Sequence, residues 1–134
     1  MTYPAIIKEK LGIEVDTFDI REDSLAAIKG DYLTNTMPGY DVIITNPPFY
    51  LALEIIKKAL SEVNDNGYIV MLLRLNFFGS NARFDFFKEH LPTWCFVHHR
   101  RFSFTDDGKT DSIEYMHAVW EKNHIPEFTK LKVI

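Results

Sequence analysis

The chain has 134 residues, a formal net charge of −4, 46% hydrophobic and 14% aromatic side chains, enough for the core of one domain and too apolar for a disordered segment. Its longest apolar runs, such as Tyr68 to Leu73, are too short to cross a bilayer, and no basic stretch leading into an apolar segment opens it as a secretory signal would. A single cysteine, Cys95, excludes an internal disulfide and a cysteine-rich zinc site, so a cytoplasmic protein is expected, with Cys95 in the core of a strand.

In chain order, Pro4 to Leu11 suits a short helix with proline in its first turn, ended by Gly12. Ile13 to Ile20 follows as a strand with Asp19 near its end. Ser24 to Ile28 is expected to form a helical turn before Gly30, and Asp31-Tyr32-Leu33 a very short strand. Met37-Pro38-Gly39 turns into Asp41–Thr45, whose Val42, Ile43 and Ile44 form the unbroken β-branched run of a strand buried on both faces. Leu51 to Val63 is the best helix, with one apolar stripe and a Glu54–Lys58 pair on its surface. Asn64-Asp65-Asn66-Gly67 breaks it, and Tyr68 to Leu75 reads as a central strand. Asn76 to Asn81 is a loop holding Phe77 and Phe78, followed by a helix from Ala82 to His90. Cys95–Phe104 and Ile113–Glu121 form a closing strand pair around a polar loop, Trp120 belongs to the core, and residues 124–134 are a terminal extension. Helices alternating with strands predict an α/β sheet, mostly parallel, with an antiparallel pair at the end.

Charge is uneven along this order. Residues 1–66 carry eleven acids against six lysines and arginines, whereas residues 67–104 carry five basic side chains against Asp85 and Glu89. A positive half suits a phosphate backbone on one face, and it equally suits ordinary solvated charge. His98 and His99 have no companion at metal-ligand spacing, so they read as strand surface and no metal is expected.

The most informative stretch is Asn46-Pro47-Pro48-Phe49, directly after the β-branched run. Two prolines stop the strand, and Pro47 keeps Asn46 out of the helical region. An amide and an aromatic ring are therefore presented at the carboxyl end of a strand, the edge where open α/β sheets bind ligands. This segment resembles the catalytic motif of the S-adenosylmethionine-dependent amino-methyltransferases that act on adenine N6. The whole layout is similar to their small bacteriophage-type members and their Rossmann-like sheet.

The resemblance implies S-adenosylmethionine as cofactor and DNA, or RNA, as partner. It implies that Asn46 and the Pro47 carbonyl accept hydrogen bonds from the target amine and that Phe49 stacks on the base, with Pro48 stiffening the bend. Asp19 would hold the cofactor's ribose and Asp31 its adenine amine, with Asn46 bordering both sites. Arg83, Arg100, Arg101 and Lys109 would meet phosphates, the last three through similarity of residues 100–120 to the end of these enzymes. One departure stands out: no strand with a Gly-rich turn precedes residues 5–7, so the domain is expected to be truncated, lacking the first strand. A second chain, another copy, or direct pairing of the Asp19 strand with the Asn46 strand would fill that place. Methylation of another amine (guanine N2 in ribosomal RNA or a protein glutamine) and a non-catalytic binding remnant stay open beside adenine methylation.

Overall fold

The computed structural model of the chain describes residues 18, 19, 28, 29, 33, 39–100 and 113–134, in two units, Met1–Met37 and Pro38–Ile134. The helix expected at 4–11, most of the strand expected at 13–20 and the loop expected at 105–112 lie outside the described residues.

In the first unit, β1 (Phe18–Asp19) and β2 (Ile28–Lys29) pair in parallel, Phe18 opposite Ile28. Ile28 is thus a strand residue rather than part of the expected helical turn, in keeping with its β-branched side chain. Leu33 lies in a 3-10 turn, not a strand. Among the described residues β1 pairs with β2 alone.

The second unit is built on β3 (Val42–Thr45), α1 (Ala52–Glu62), β4 (Tyr68–Arg74), α2 (Asn81–Glu89), β5 (Trp94–Val97), β6 (Tyr115–Glu121) and β7 (Lys130–Val133). The strands lie in the order β3-β4-β6-β5-β7. β6 is antiparallel to both β4 and β5, while β3 and β7 run parallel to their neighbours, so four strands share one direction and β6 opposes them. The expected class, a mostly parallel α/β sheet with antiparallel pairing near its end, is the observed one.

Tyr68–Arg74 sits between β3 and β6, and its apolar run supplies Ile69 and Met71, both fully buried. In α1 the buried residues Ala52, Ile55, Ile56 and Ala59 recur at helical spacing. Its surface pair is Lys58 with Glu62, at 2.7 Å, not Glu54 with Lys58. Ser80 caps α2, its hydroxyl oxygen accepting from the Ala82 N–H at 3.2 Å. Trp120 is 2% exposed and donates its indole N–H to the His90 carbonyl at 2.7 Å, tying β6 to the end of α2. Cys95 is buried beside Met116, where burial raises its thiol pKa.

A tight knot joins α1 to the start of β4. The Tyr68 N–H donates to Asp41 O at 2.9 Å, the Asn64 N–H to Tyr40 O at 2.7 Å, and the Asn64 side chain to the Asp41 carboxylate at 2.9 Å. Asn66 takes the left-handed φ of 63° that asparagine tolerates. A Cβ on Gly67 would lie 2.6 Å from Asp41 O and 2.8 Å from Asn64 O, so only glycine fits.

Two edges differ from expectation. Among the described residues β3 is the end strand of its sheet, with Val42 52% exposed, rather than a strand buried on both faces. Residues 130–133 form a fully exposed strand on β5 instead of an extension, secured by Lys130 N–H to Thr93 O and Ile134 N–H to Val97 O. Lys130 and Lys132 place charge on that edge, which discourages further pairing. No helix among the described residues is long and apolar enough to cross a membrane.

Candidate active site

β3 ends at Thr45, and the chain then bends as the two prolines require. Pro47 is buried while Asn46, Pro48 and Phe49 are exposed. Pro48 is extended (φ −55°, ψ 133°), and Phe49–Leu51 form a 3-10 turn closed by the Leu51 N–H donating to Pro48 O at 3.0 Å. This turn leads straight into α1. The bend is therefore fixed at both ends, by the sheet on one side and a buried helix on the other.

Asn46 and Pro47 line a cavity of about 490 Å³ at the carboxyl edge of β3 and β4. Phe49 forms part of its wall, with its ring 68% exposed; Tyr50 beside it is 72% exposed and meets it edge to face at 6.2 Å. Among the described residues no group hydrogen-bonds the Asn46 side-chain amide. An unengaged amide and an open aromatic face thus meet at one cavity.

The opposite wall comes from β4 and the residues after it. Arg74 ends β4 and lays its guanidinium over the Phe49 ring, 4.9 Å from the centroid. Leu75–Phe78 make a 3-10 turn that brings Asn76 and Phe77 to the cavity. Arg83 reaches back from α2, donating Nε–H to Phe77 O at 2.6 Å and covering the Phe77 ring at 4.6 Å. Phe87 packs against both Phe77 and Phe78, at 5.7 and 5.2 Å, and holds this turn on α2. Because β6 is reversed, its first residue, Tyr115, arrives opposite Arg74 at the same edge and closes the cavity floor.

Of the residues singled out from sequence, Asn46, Pro47, Phe49 and Arg83 come together here. Pro48 shapes the bend without lining the cavity, and Arg100 is exposed beyond β5, outside the lining. Asp19 ends β1, while Asp31, Arg101 and Lys109 lie outside the described residues. Arg74, Asn76 and Phe77 carry no motif of their own. The available signal was position: they directly follow an apolar central strand, at the edge where ligands bind.

His98 is not simple strand surface. Its Nε2 lies 2.6 Å from Nδ1 of His117, with the rings 4.8 Å apart. Burial first, and then His98, push the His117 pKa down to about 4; burial first, and then His99, lower that of His98. Among the described residues no group of three or more His, Cys, Asp or Glu could hold a metal.

Set against solved structures, the chain overlies a candidate class I S-adenosylmethionine-dependent methyltransferase from Listeria monocytogenes with a TM-score of 0.58 at 14% identity. The fold is similar to a Rossmann-like methyltransferase fold. The match covers 80% of this chain and 41% of the Listeria protein, so the chain spans about two-fifths of that protein's length. Two structures of M1.HpyAVI, one a complex with S-adenosylmethionine, align at 21% identity over 72% of this chain and 57% of theirs, with lower TM-scores of 0.40 and 0.42. No protein-family model matches the sequence, and no curated protein matches it.

Proposed function

We propose that this chain is an amino-methyltransferase domain that transfers a methyl group from S-adenosylmethionine to the N6 amine of adenine in DNA. The observation that carries the reading is the bend itself: an unengaged Asn46 amide and an open Phe49 ring at one cavity, on a sheet similar to a Rossmann-like methyltransferase fold. At about 490 Å³ the cavity is of the size that small-molecule groups occupy. When bound, the cofactor supplies an electrophilic methyl on a sulfonium. Within the described cavity Asn46 is the residue proposed to border it, and the roles of Asp19 and Asp31 rest on the resemblance alone.

The chain's own part is positioning. The Asn46 side-chain oxygen and the Pro47 carbonyl accept the two N–H bonds of the target amine, which turns its lone pair out of the ring and toward the methyl donor, and one of these two protons passes to water as the amine is methylated. Phe49 offers its exposed face to the base. Among the described residues no acidic side chain lines the cavity. Orientation of two reactants supplies roughly 7–11 kcal/mol in favourable cases. A base in a duplex must first leave the stack, at a cost of a few kcal/mol.

A second element of the proposal concerns the sheet. Among the described residues β3 is its end strand, and Val42 is 52% exposed, so a strand from a second chain or another copy would find an edge beside Asn46. The test is transfer of a tritiated methyl group to DNA, run with and without a polypeptide carrying a strand and Gly-rich turn. Asn46→Ala is expected to reduce transfer to background with an unchanged unfolding midpoint; retained turnover would remove Asn46 from the mechanism. Incorporation into RNA or protein instead of DNA would move the assignment to guanine N2 or a glutamine amide. No incorporation into any of the three would leave a binding remnant.

A further inference from the structure

Among the described residues the wall of the cavity facing the proline bend carries two guanidiniums and no carboxylate. Both are half-buried. Among the described residues neither Arg74 nor Arg83 forms an ion pair. Unneutralised charge in a concave, partly apolar site is costly unless a ligand completes it, and it focuses a positive potential there.

Each guanidinium is oriented by what it touches. Arg83 commits Nε–H to Phe77 O, leaving its two Nη groups without a partner among the described residues. Arg74 holds its guanidinium carbon 4.9 Å from the Phe49 ring centroid, and among the described residues no hydrogen bond occupies its N–H groups. Flat, unpaired forks of this kind suit the oxygens of a phosphate.

We infer that Arg74 and Arg83 form an anion site in this cavity that takes a backbone phosphate of the strand carrying the target base. An acidic peptide would satisfy the charge as well. The rings decide between them: Phe49 adjoins Arg74 and Tyr50 adjoins Phe49, and both, more than two-thirds exposed, give successive bases a surface to stack on. The position of the target base rests on the function proposed above, whereas the anion site does not depend on methyl transfer.

The experiment measures binding of a fluorescein-labelled single-stranded deoxyoligonucleotide by anisotropy across a salt series, without cofactor. Arg74→Gln is expected to weaken binding about tenfold. It should also flatten the slope of log K against log salt by about 0.7, the value for one lost phosphate contact on a single strand. Arg74→Lys keeps the charge and should recover the slope. An unchanged slope in Arg74→Gln, no recovery in Arg74→Lys, or no oligonucleotide binding by the wild type would each overturn the site. Equal competition by polyglutamate at constant ionic strength would reassign it to an acidic protein, and competition by millimolar inorganic phosphate alone would reduce it to a free-phosphate site. Asn46→Ala separates the two claims. It removes no charge, so it should keep the salt slope while losing methyl transfer, and turnover in that variant would sink the catalytic reading and leave the anion site standing.

Discussion

Replacing Phe49 by alanine separates function from folding, because the ring does little for the core. It is 68% exposed, and its ring contacts among the described residues are the edge of Tyr50 and the guanidinium of Arg74. Truncating a surface side chain costs within about 0.5 kcal/mol. An exposed cation–π contact adds about 0.5–1 kcal/mol. The total stays under about 1.5 kcal/mol, a fall of at most roughly 5–9 °C in Tm for a domain of this size. Stacking a base on an aromatic ring is worth about 1–3 kcal/mol, which converts to a loss of about 5- to 150-fold. Phe49→Ala should therefore lower oligonucleotide affinity and kcat/KM by that factor, and Phe49→Trp should restore both. Anisotropy, a methyl-transfer assay and a thermal melt give the three readouts. Unchanged binding and kcat/KM would refute the stacking role; a much larger fall in Tm would show that the ring is structural.

Three other outcomes follow from the packing. Gly67→Ala should destabilise the protein by about 1–3 kcal/mol in urea titration, since its Cβ would meet the backbone oxygens of Asp41 and Asn64 rather than a yielding side chain. The His117 pKa is depressed in the folded protein to about 4, so between there and 6.5 the unfolded chain binds the extra proton. That contribution to stability is whole above pH 6.5 and is lost as pH falls toward 4; His117→Gln should flatten this part of the profile, and a two-dimensional NMR titration should place the imidazole near 4. Cys95 is 1% exposed with a raised thiol pKa, so it should react with a thiol reagent at the rate of unfolding, and immediate labelling would contradict its burial.

Much of the second unit was legible because its signals are local. The stripe of α1, the apolar run of β4 and the place of Trp120 in the core each follow from periodicity that tertiary packing did not override. β7 was illegible for the opposite reason: Lys130–Val133 buries no side chain, and its strand character comes only from pairing with β5. His117 meets His98 through the antiparallel register that sets it opposite Phe96, a relation invisible at nineteen residues' separation. At the site, the proline bend announced itself, but Arg74 and Arg83 became a pair only through the turn at Leu75–Phe78 and the return of α2. Lys58 chose Glu62 over Glu54, a choice between two neighbours on one helix that spacing alone does not make.

The insertion of β6 between β4 and β5 has a consequence for how the protein is made. Two strands that emerge one after the other are not neighbours; each waits with a bare inner edge until residues 115–121 leave the ribosome and slot between them. Such late, long-range closure is slow, and the open slot is a template for mispairing with other nascent chains. Tyr115 arrives with that same strand, so the ligand cavity is completed in the step that seals the sheet, and a stalled or clipped polypeptide lacking it would carry the proline bend without a pocket.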